Sequence, residues 1–145
     1  RLPFPVLSDL SLIRYPGFAD MQEAKALSDV MERKFAVHLK HGIHLIIVQD
    51  QDGSLIIGDS HAYGDQALPF QSEQVDKLLL STFRALLPGV EAEVCERWMG
   101  SYVCAKGGIA FSEEINEGVY AIEITTGAGM SLAFGFAEEV LNHSI

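Results

Sequence analysis

The sequence contains few positive charges. Lys and Arg together number 10 against 20 Asp and Glu residues, so the formal net charge at pH 7 is −10. Nucleic acids and anionic membranes both bind proteins through basic surfaces, so we expect neither as the main partner of this chain. Its 145 residues, 48% of them apolar, are enough for one ordinary domain with a filled core.

Patterns that bind metals or form disulfide scaffolds are also missing. Cys95 and Cys104 lack the C-x-x-C spacing of paired zinc ligands, and no base stands near either to activate a thiolate. His38, His41 and His44 recur every three residues, but a glycine interrupts the run and no acidic residue is close by in the sequence. We therefore expect no metal site.

Long apolar runs and a leader segment are not visible either. No run approaches the roughly 20 apolar residues that span a bilayer, and no signal-peptide pattern is present. The first residue is Arg rather than Met, which indicates a chain cut from something longer. We expect a soluble, cytoplasmic protein, and the composition leaves open whether the chain is complete.

Three helices are predicted from apolar residues at three- and four-residue steps. The first covers residues 21–35, and the second covers residues 72–87, beginning at a serine and ending at a Pro-Gly pair. The third covers residues 130–141. Dense prolines in residues 1–20 predict extended chain with turns instead.

A hairpin is predicted from two apolar runs, residues 44–51 and 54–61, with Asp52-Gly53 between them. Apolar residues at consecutive positions in both runs indicate a central place in a sheet. The remaining predicted strands are a long one over residues 90–105, a brief one over 109–111 and one over 119–124. The predicted fold class is α+β, an antiparallel sheet with flanking helices.

A Gly-x-Gly turn between the last strand and the last helix is the most suggestive chemical feature. Gly127, Ala128, Gly129 and Met130 would present backbone N–H groups at a helix start, where a phosphate or a delocalised oxyanion is stabilised. The turn matches neither the P-loop nor the dinucleotide-binding fingerprint. A tight turn without a ligand remains the alternative.

Two further clusters of polar and aromatic residues carry chemistry that needs no metal. His61 follows the second hairpin strand and could act as a base or a hydrogen-bond donor. Arg97 could hold a carboxylate or phosphonate, and Trp98 and Tyr102 could wall an amine pocket. The alternatives are a surface histidine, a Glu–Arg pair and core aromatics.

Six segments, taken in order, resemble the second half of FAD-dependent amine oxidoreductases, the superfamily of D-amino-acid oxidase, glycine oxidase and sarcosine oxidase. The most similar branch is the one linked with aminophosphonate breakdown. The segments are RYPGF at 14–18, GIH at 42–44 with VQ at 48–49, DGSL at 52–55, GDSHAYG at 58–64, ERWMGSY at 96–102 and TGAGMSLAFG at 126–135.

The resemblance implies FAD as cofactor and two parts of the chain. Residues 1–111 would be a substrate-binding domain that is incomplete at its N-terminus, and residues 112–145 the last strand, turn and helix of the FAD domain. The flavin contacts would be Gly127, Ala128, Gly129 and Met130. Reduced flavin is anionic, and a helix N-terminus stabilises that charge.

The resemblance also implies a substrate site and an activity. His61 would be the catalytic residue, standing above the flavin beside the substrate, and the residues that bind substrate would be Tyr63, Arg97, Trp98 and Tyr102. The implied reaction is oxidation of an amine or amino-acid-like substrate by hydride transfer to flavin. We expect no covalent flavin attachment.

Two departures from the family pattern matter. Glycine oxidase-like members place an Arg after the Trp-x-Gly segment, whereas Ser101 and Tyr102 stand here, so Arg97 or Arg14 would have to hold a substrate carboxylate. The G-x-G-x-x-G turn for the ADP moiety is absent from the sequence, so an N-terminal FAD-binding half is an expected partner. Self-association through the apolar last helix is also expected. The alternative is a non-catalytic fragment or an interaction module without cofactor.

Overall fold

The computed structural model describes residues 1–64 and 69–144, and it divides into two compact units, Arg1–Glu96 and Arg97–Ile145. Each unit has its own antiparallel sheet, with three strands in the first and two in the second. This confirms the predicted α+β class. The assignment of residues 1–111 and 112–145 to two domains of a parent enzyme stays a prediction.

Within residues 1–64 and 69–96, the first unit has four helices: α1 at Asp9–Leu12, α2 at Pro16–Ala19, α3 at Gln22–Lys40 and α4 at Glu73–Leu86. The two longer ones confirm the predicted helices, although α3 runs on past a local kink at Phe35. The prediction of extended chain with turns over residues 1–20 was wrong at α1 and α2, which are helical. Proline is tolerated in the first turn of a helix, where no partner for its missing N–H is needed, and Pro16 takes that place in α2.

The three-stranded sheet has the order β1 (Val6–Leu7), β2 (Ile46–Gln49), β3 (Leu55–Gly58), all antiparallel. The predicted hairpin is therefore confirmed as β2 and β3. Gly53 in its turn has φ +94°, a conformation that glycine adopts without a Cβ clash. The Asp52 carboxylate accepts hydrogen bonds from the Ser54 hydroxyl and amide, and these bonds hold the pKa of Asp52 below its usual value.

The core of the first unit lies where α4 meets the sheet. Leu45 and Ile47 are fully buried and pack with Phe83 of α4. Ile56 of β3 is 43% exposed. The central place predicted for the hairpin therefore holds for β2, which has a neighbour on each side, and β3 has one neighbour among the described residues.

The second unit consists of β4 (Ala110–Asn116), β5 (Val119–Ile124) and α5 (Gly129–Ser144). The last strand and helix are confirmed, and β4 is longer than the predicted brief strand because it pairs with β5 along its length. The long strand predicted over residues 90–105 is wrong: this segment is neither helix nor strand. Alternation alone does not make a strand, since a ladder partner is needed, and the described residues pair no strand with it.

A helix needs about 20 consecutive, mostly apolar residues to cross a bilayer. Within residues 1–64 and 69–144, no helix combines the length and the apolar character that crossing a membrane requires.

His38 gives the first unit a pH-dependent stability. Burial lowers the pKa of His38 below 6.5, and the charge of His41 lowers it further. As pH falls through about 6.5, the unfolded chain therefore takes up a proton before the folded chain does, and stability decreases. His38→Gln removes this titration and can still contact Thr82 Oγ1, 3.0 Å from His38 Nε2. We expect a smaller loss of stability between pH 7 and pH 5 in urea unfolding.

The matched control is His143→Gln, which changes an exposed histidine near the end of α5 and should leave the loss between the two pH values as in the unmodified chain. An equal loss in His38→Gln and the unmodified chain would contradict the prediction.

Candidate functional site

His61 lies three residues beyond β3 and is held against the end of α3. Its backbone amide donates to the His41 carbonyl at 3.2 Å. The approach depends on Gly42, which has φ +59°, because a Cβ atom there would lie 2.8 Å from the His61 carbonyl oxygen. A side chain at position 42 would therefore push this segment away.

Asp59 stands between two imidazoles. Its Oδ1 lies 2.9 Å from His44 Nε2, and its Oδ2 lies 3.6 Å from His61 Nε2. The two rings stack with their centroids 5.1 Å apart. We name these residues the His44–Asp59–His61 cluster.

The other ring nitrogens of the cluster have partners too. His61 Nδ1 lies 3.3 Å from the Gly42 carbonyl oxygen, and His44 Nδ1 lies 3.4 Å from the Ser11 hydroxyl. Ser11 is fully buried and donates its hydroxyl hydrogen to the His44 carbonyl. Each imidazole is therefore oriented by a contact at Nδ1, and its Nε2 atom faces the Asp59 carboxylate.

Burial and neighbouring charges set the protonation of the cluster. Burial lowers the pKa of His61, and the Arg14 guanidinium lowers it further, against the opposing charge of Asp59. Burial alone would raise the pKa of Asp59, but the His44 hydrogen bond and the nearby positive charges lower it overall. The arrangement favours an ionised Asp59 and a neutral His61.

Tyr63, predicted as a substrate-binding residue, stacks on His61 and contacts Arg14. The rings of His61 and Tyr63 stack at a centroid distance of 6.2 Å. Arg14 donates to the Tyr63 hydroxyl at 2.5 Å, and its guanidinium lies 5.9 Å from the Tyr63 ring centre. The first unit thus brings a guanidinium, a phenol and an imidazole close together in space.

The other predicted site residues belong to the second unit. Arg97, Trp98 and Tyr102 lie in the segment without helix or strand, and the Tyr102 ring packs on the Gly127 turn. A Cβ atom at Gly127 would lie 3.3 Å from the Tyr102 hydroxyl oxygen. An open groove of about 460 Å³ runs along this contact, lined by Tyr102, Gly127, Gly129, Met130 and residues of β5 and α5.

The start of α5 is anchored so that its first amides lie at the groove. The Ala128 carbonyl accepts from the amides of Ser131 and Leu132 at 3.0 Å, and buried Thr125 donates through its hydroxyl to the Gly108 carbonyl. The first amides of a helix have no acceptor within the helix. The groove therefore has both the small residues and the positive helix end that an anionic ring edge requires.

The sequence interpretation missed the cluster as a unit, although it singled out two of its members. His44 was considered with His38 and His41, whereas the structure places it with Asp59 and His61. The predicted hairpin could have indicated this contact, because in an antiparallel pair the start of one strand lies beside the end of the next. His44 precedes β2 and Asp59 follows β3.

Comparison with known proteins gave one finding. The family model described as FAD-dependent oxidoreductase (DAO) matches residues 7–142, which is most of the chain. No curated protein and no solved structure matches it.

The tight packing at Gly42 leads us to expect a loss of stability when a side chain is added there. Gly42→Ala should destabilise the chain by about 1–2 kcal/mol for the left-handed backbone and by about 1–3 kcal/mol more for overpacking against His61. Gly53→Ala is the control, because φ is +94° there and nothing lies within 4 Å of the added Cβ. Urea unfolding measures both, and equal losses would show that the contact at Gly42 is not tight.

Proposed function

Because the chain belongs to the FAD-dependent oxidoreductase family, we propose that it forms the C-terminal, substrate-facing part of an enzyme that oxidises an amine or amino-acid-like substrate. The observation that carries the proposal is the Gly127 turn at the start of α5, packed on Tyr102 beside an open groove. When bound, FAD supplies the hydride acceptor.

The turn suits the pyrimidine edge of a flavin. A Cβ atom at Gly127 would lie 3.3 Å from the Tyr102 ring, so a side chain there would require that ring to shift. The amides that begin α5 offer donors and a positive dipole to the negative charge of reduced flavin. We assign the contacts to Gly127, Ala128, Gly129 and Met130. The pyrophosphate would be held outside this chain, since the sequence has no G-x-G-x-x-G turn.

Exposed apolar side chains near this turn support the same proposal. Met130 is 98% exposed and Phe134 is 89% exposed. We propose that an N-terminal FAD-binding half covers them, and that this surface self-associates when that half is missing. Soluble proteins rarely leave such neighbouring apolar groups uncovered.

The first unit would bind the substrate. Neutral His61 can accept a hydrogen bond from a substrate amine at Nε2, and the stacked ring of Tyr63 would bound the pocket. Arg14 would hold a carboxylate or phosphonate group of the substrate. Arg97 is the other candidate for this role. Trp98 and Tyr102 remain assigned to the pocket wall by resemblance.

The activity can be tested on the protein expressed from its whole reading frame. We expect a yellow protein whose flavin absorbance bleaches under anaerobic conditions when an amine substrate is added. Amines that carry a carboxylate or phosphonate should bleach it at lower concentrations than simple amines, because Arg14 offers charge-assisted hydrogen bonds. A protein that binds no flavin would instead support a non-catalytic interaction module.

The assignment of the flavin edge makes a separate prediction. Gly127→Ala should weaken FAD binding by about tenfold, equivalent to about 1.4 kcal/mol, since the Cβ would displace Tyr102 from the turn. Gly135→Ala is the control, because it lies in α5 with open space at its Cβ. Flavin fluorescence titration measures both variants, and equal affinities would remove Gly127 from the cofactor site.

A further inference from the structure

The His44–Asp59–His61 cluster has the ligand set of a metal site. We propose that it binds one divalent transition-metal ion, of which Zn²⁺ is the best match. Two imidazole nitrogens and one carboxylate oxygen, each on a different residue, lie within 4.8 Å of one another. Imidazole and carboxylate ligands together suit Zn²⁺ and Co²⁺, whereas Ca²⁺ and Mg²⁺ prefer oxygen alone.

The ligand atoms lie close enough together for side-chain adjustment to form a tetrahedral site. Zinc–ligand bonds of 2.0–2.2 Å place neighbouring ligand atoms about 3.4 Å apart. In this structure Asp59 Oδ1 lies 2.9 Å from His44 Nε2 and Asp59 Oδ2 lies 3.6 Å from His61 Nε2, and the one ligand atom that each residue offers lies within 4.8 Å of the other two. Adjustment of the three side chains would bring one Asp59 oxygen and the two Nε2 atoms to these separations around an ion.

The hydrogen bonds behind the ligands are those that a metal-bound histidine needs. Such a histidine donates its second ring N–H to a carbonyl, carboxylate or other acceptor, which fixes the ring. His61 Nδ1 faces the Gly42 carbonyl, and His44 Nδ1 faces the Ser11 oxygen, whose own hydrogen is given to a backbone carbonyl. Binding would replace the proton that His44 Nε2 shares with Asp59 and would leave these contacts in place.

The surroundings limit both the access and the affinity of the site. The Asp59 side chain is 50% exposed, so a water molecule can reach the fourth position, while the His44 side chain is 5% exposed. The Arg14 charge acts on Asp59 and His61 and opposes a cation. The bond from Arg14 to Tyr63 directs the guanidinium to that hydroxyl.

The metal proposal can be tested separately from the proposed oxidase activity. An ion at His61 Nε2 would occupy the atom that we assign to the substrate amine, so an ion and a substrate would exclude each other. Metal binding can be measured without flavin or substrate. Failure of either proposal therefore leaves the other standing.

The test is calorimetric titration of the chelator-treated chain with ZnCl₂, together with the visible absorption of added Co²⁺. We expect one ion per chain and the strong visible bands of four-coordinate Co²⁺. Asp59→Asn and His61→Gln should each weaken binding by about tenfold or more, as even changes behind the ligands do. His143→Gln is the matched control and should bind like the unmodified chain.

Two variants are used because one of them could fail to fold, and circular dichroism identifies a folded one. No zinc binding by the unmodified chain would overturn the proposal. Unchanged binding in a folded Asp59→Asn or His61→Gln variant would also overturn it. So would a loss of binding in His38→Gln with none in Asp59→Asn, because the ion would then lie on α3.

Discussion

The contact between the Asp59 carboxylate and the imidazole of His44 is the interaction on which the first unit's site depends. It joins His44, two residues before β2, to Asp59, the residue after β3, and the backbone repeats the connection, since the His44 amide donates to the Asp59 carbonyl. Ser11 of α1 contacts the same histidine from the other side. Three elements thus meet at one buried ring, and His61 takes its orientation from them.

Much of the fold could be predicted because its signals are local. Asp-Gly between two apolar runs specified the hairpin, and three- and four-residue spacing specified α3, α4 and α5. Residues 90–105 show the limit of such reasoning, since alternation indicates one buried face but says nothing of a partner strand. The short helices α1 and α2 escaped prediction because proline was taken as a breaker, although it is accommodated in a first turn.

The candidate site likewise contains residues that local sequence signals indicate and one residue that only a long-range contact reveals. His61, Tyr63 and the Gly127 turn could be named as candidates because each stands in a recognisable local segment. The structure places Tyr63 beside His61 and Tyr102 against Gly127, and the functional roles of these residues stay predictions. Asp59 had been seen only as a neighbour of His61 in the sequence. Its role comes from a contact with His44 across the hairpin, and only the pairing register of the strands brings those two residues together.

Both proposals for this cluster depend on the same requirement of the Asp59 carboxylate. A half-buried ionised carboxylate is stable only with positive charge or hydrogen-bond donors close by. The His44 hydrogen bond and the positive charge of Arg14 meet that need in this structure, and a divalent ion, as proposed, would meet it in the same way. Under the two proposals, an ion at His61 Nε2 and a substrate amine would exclude each other, because both would need the same ring nitrogen.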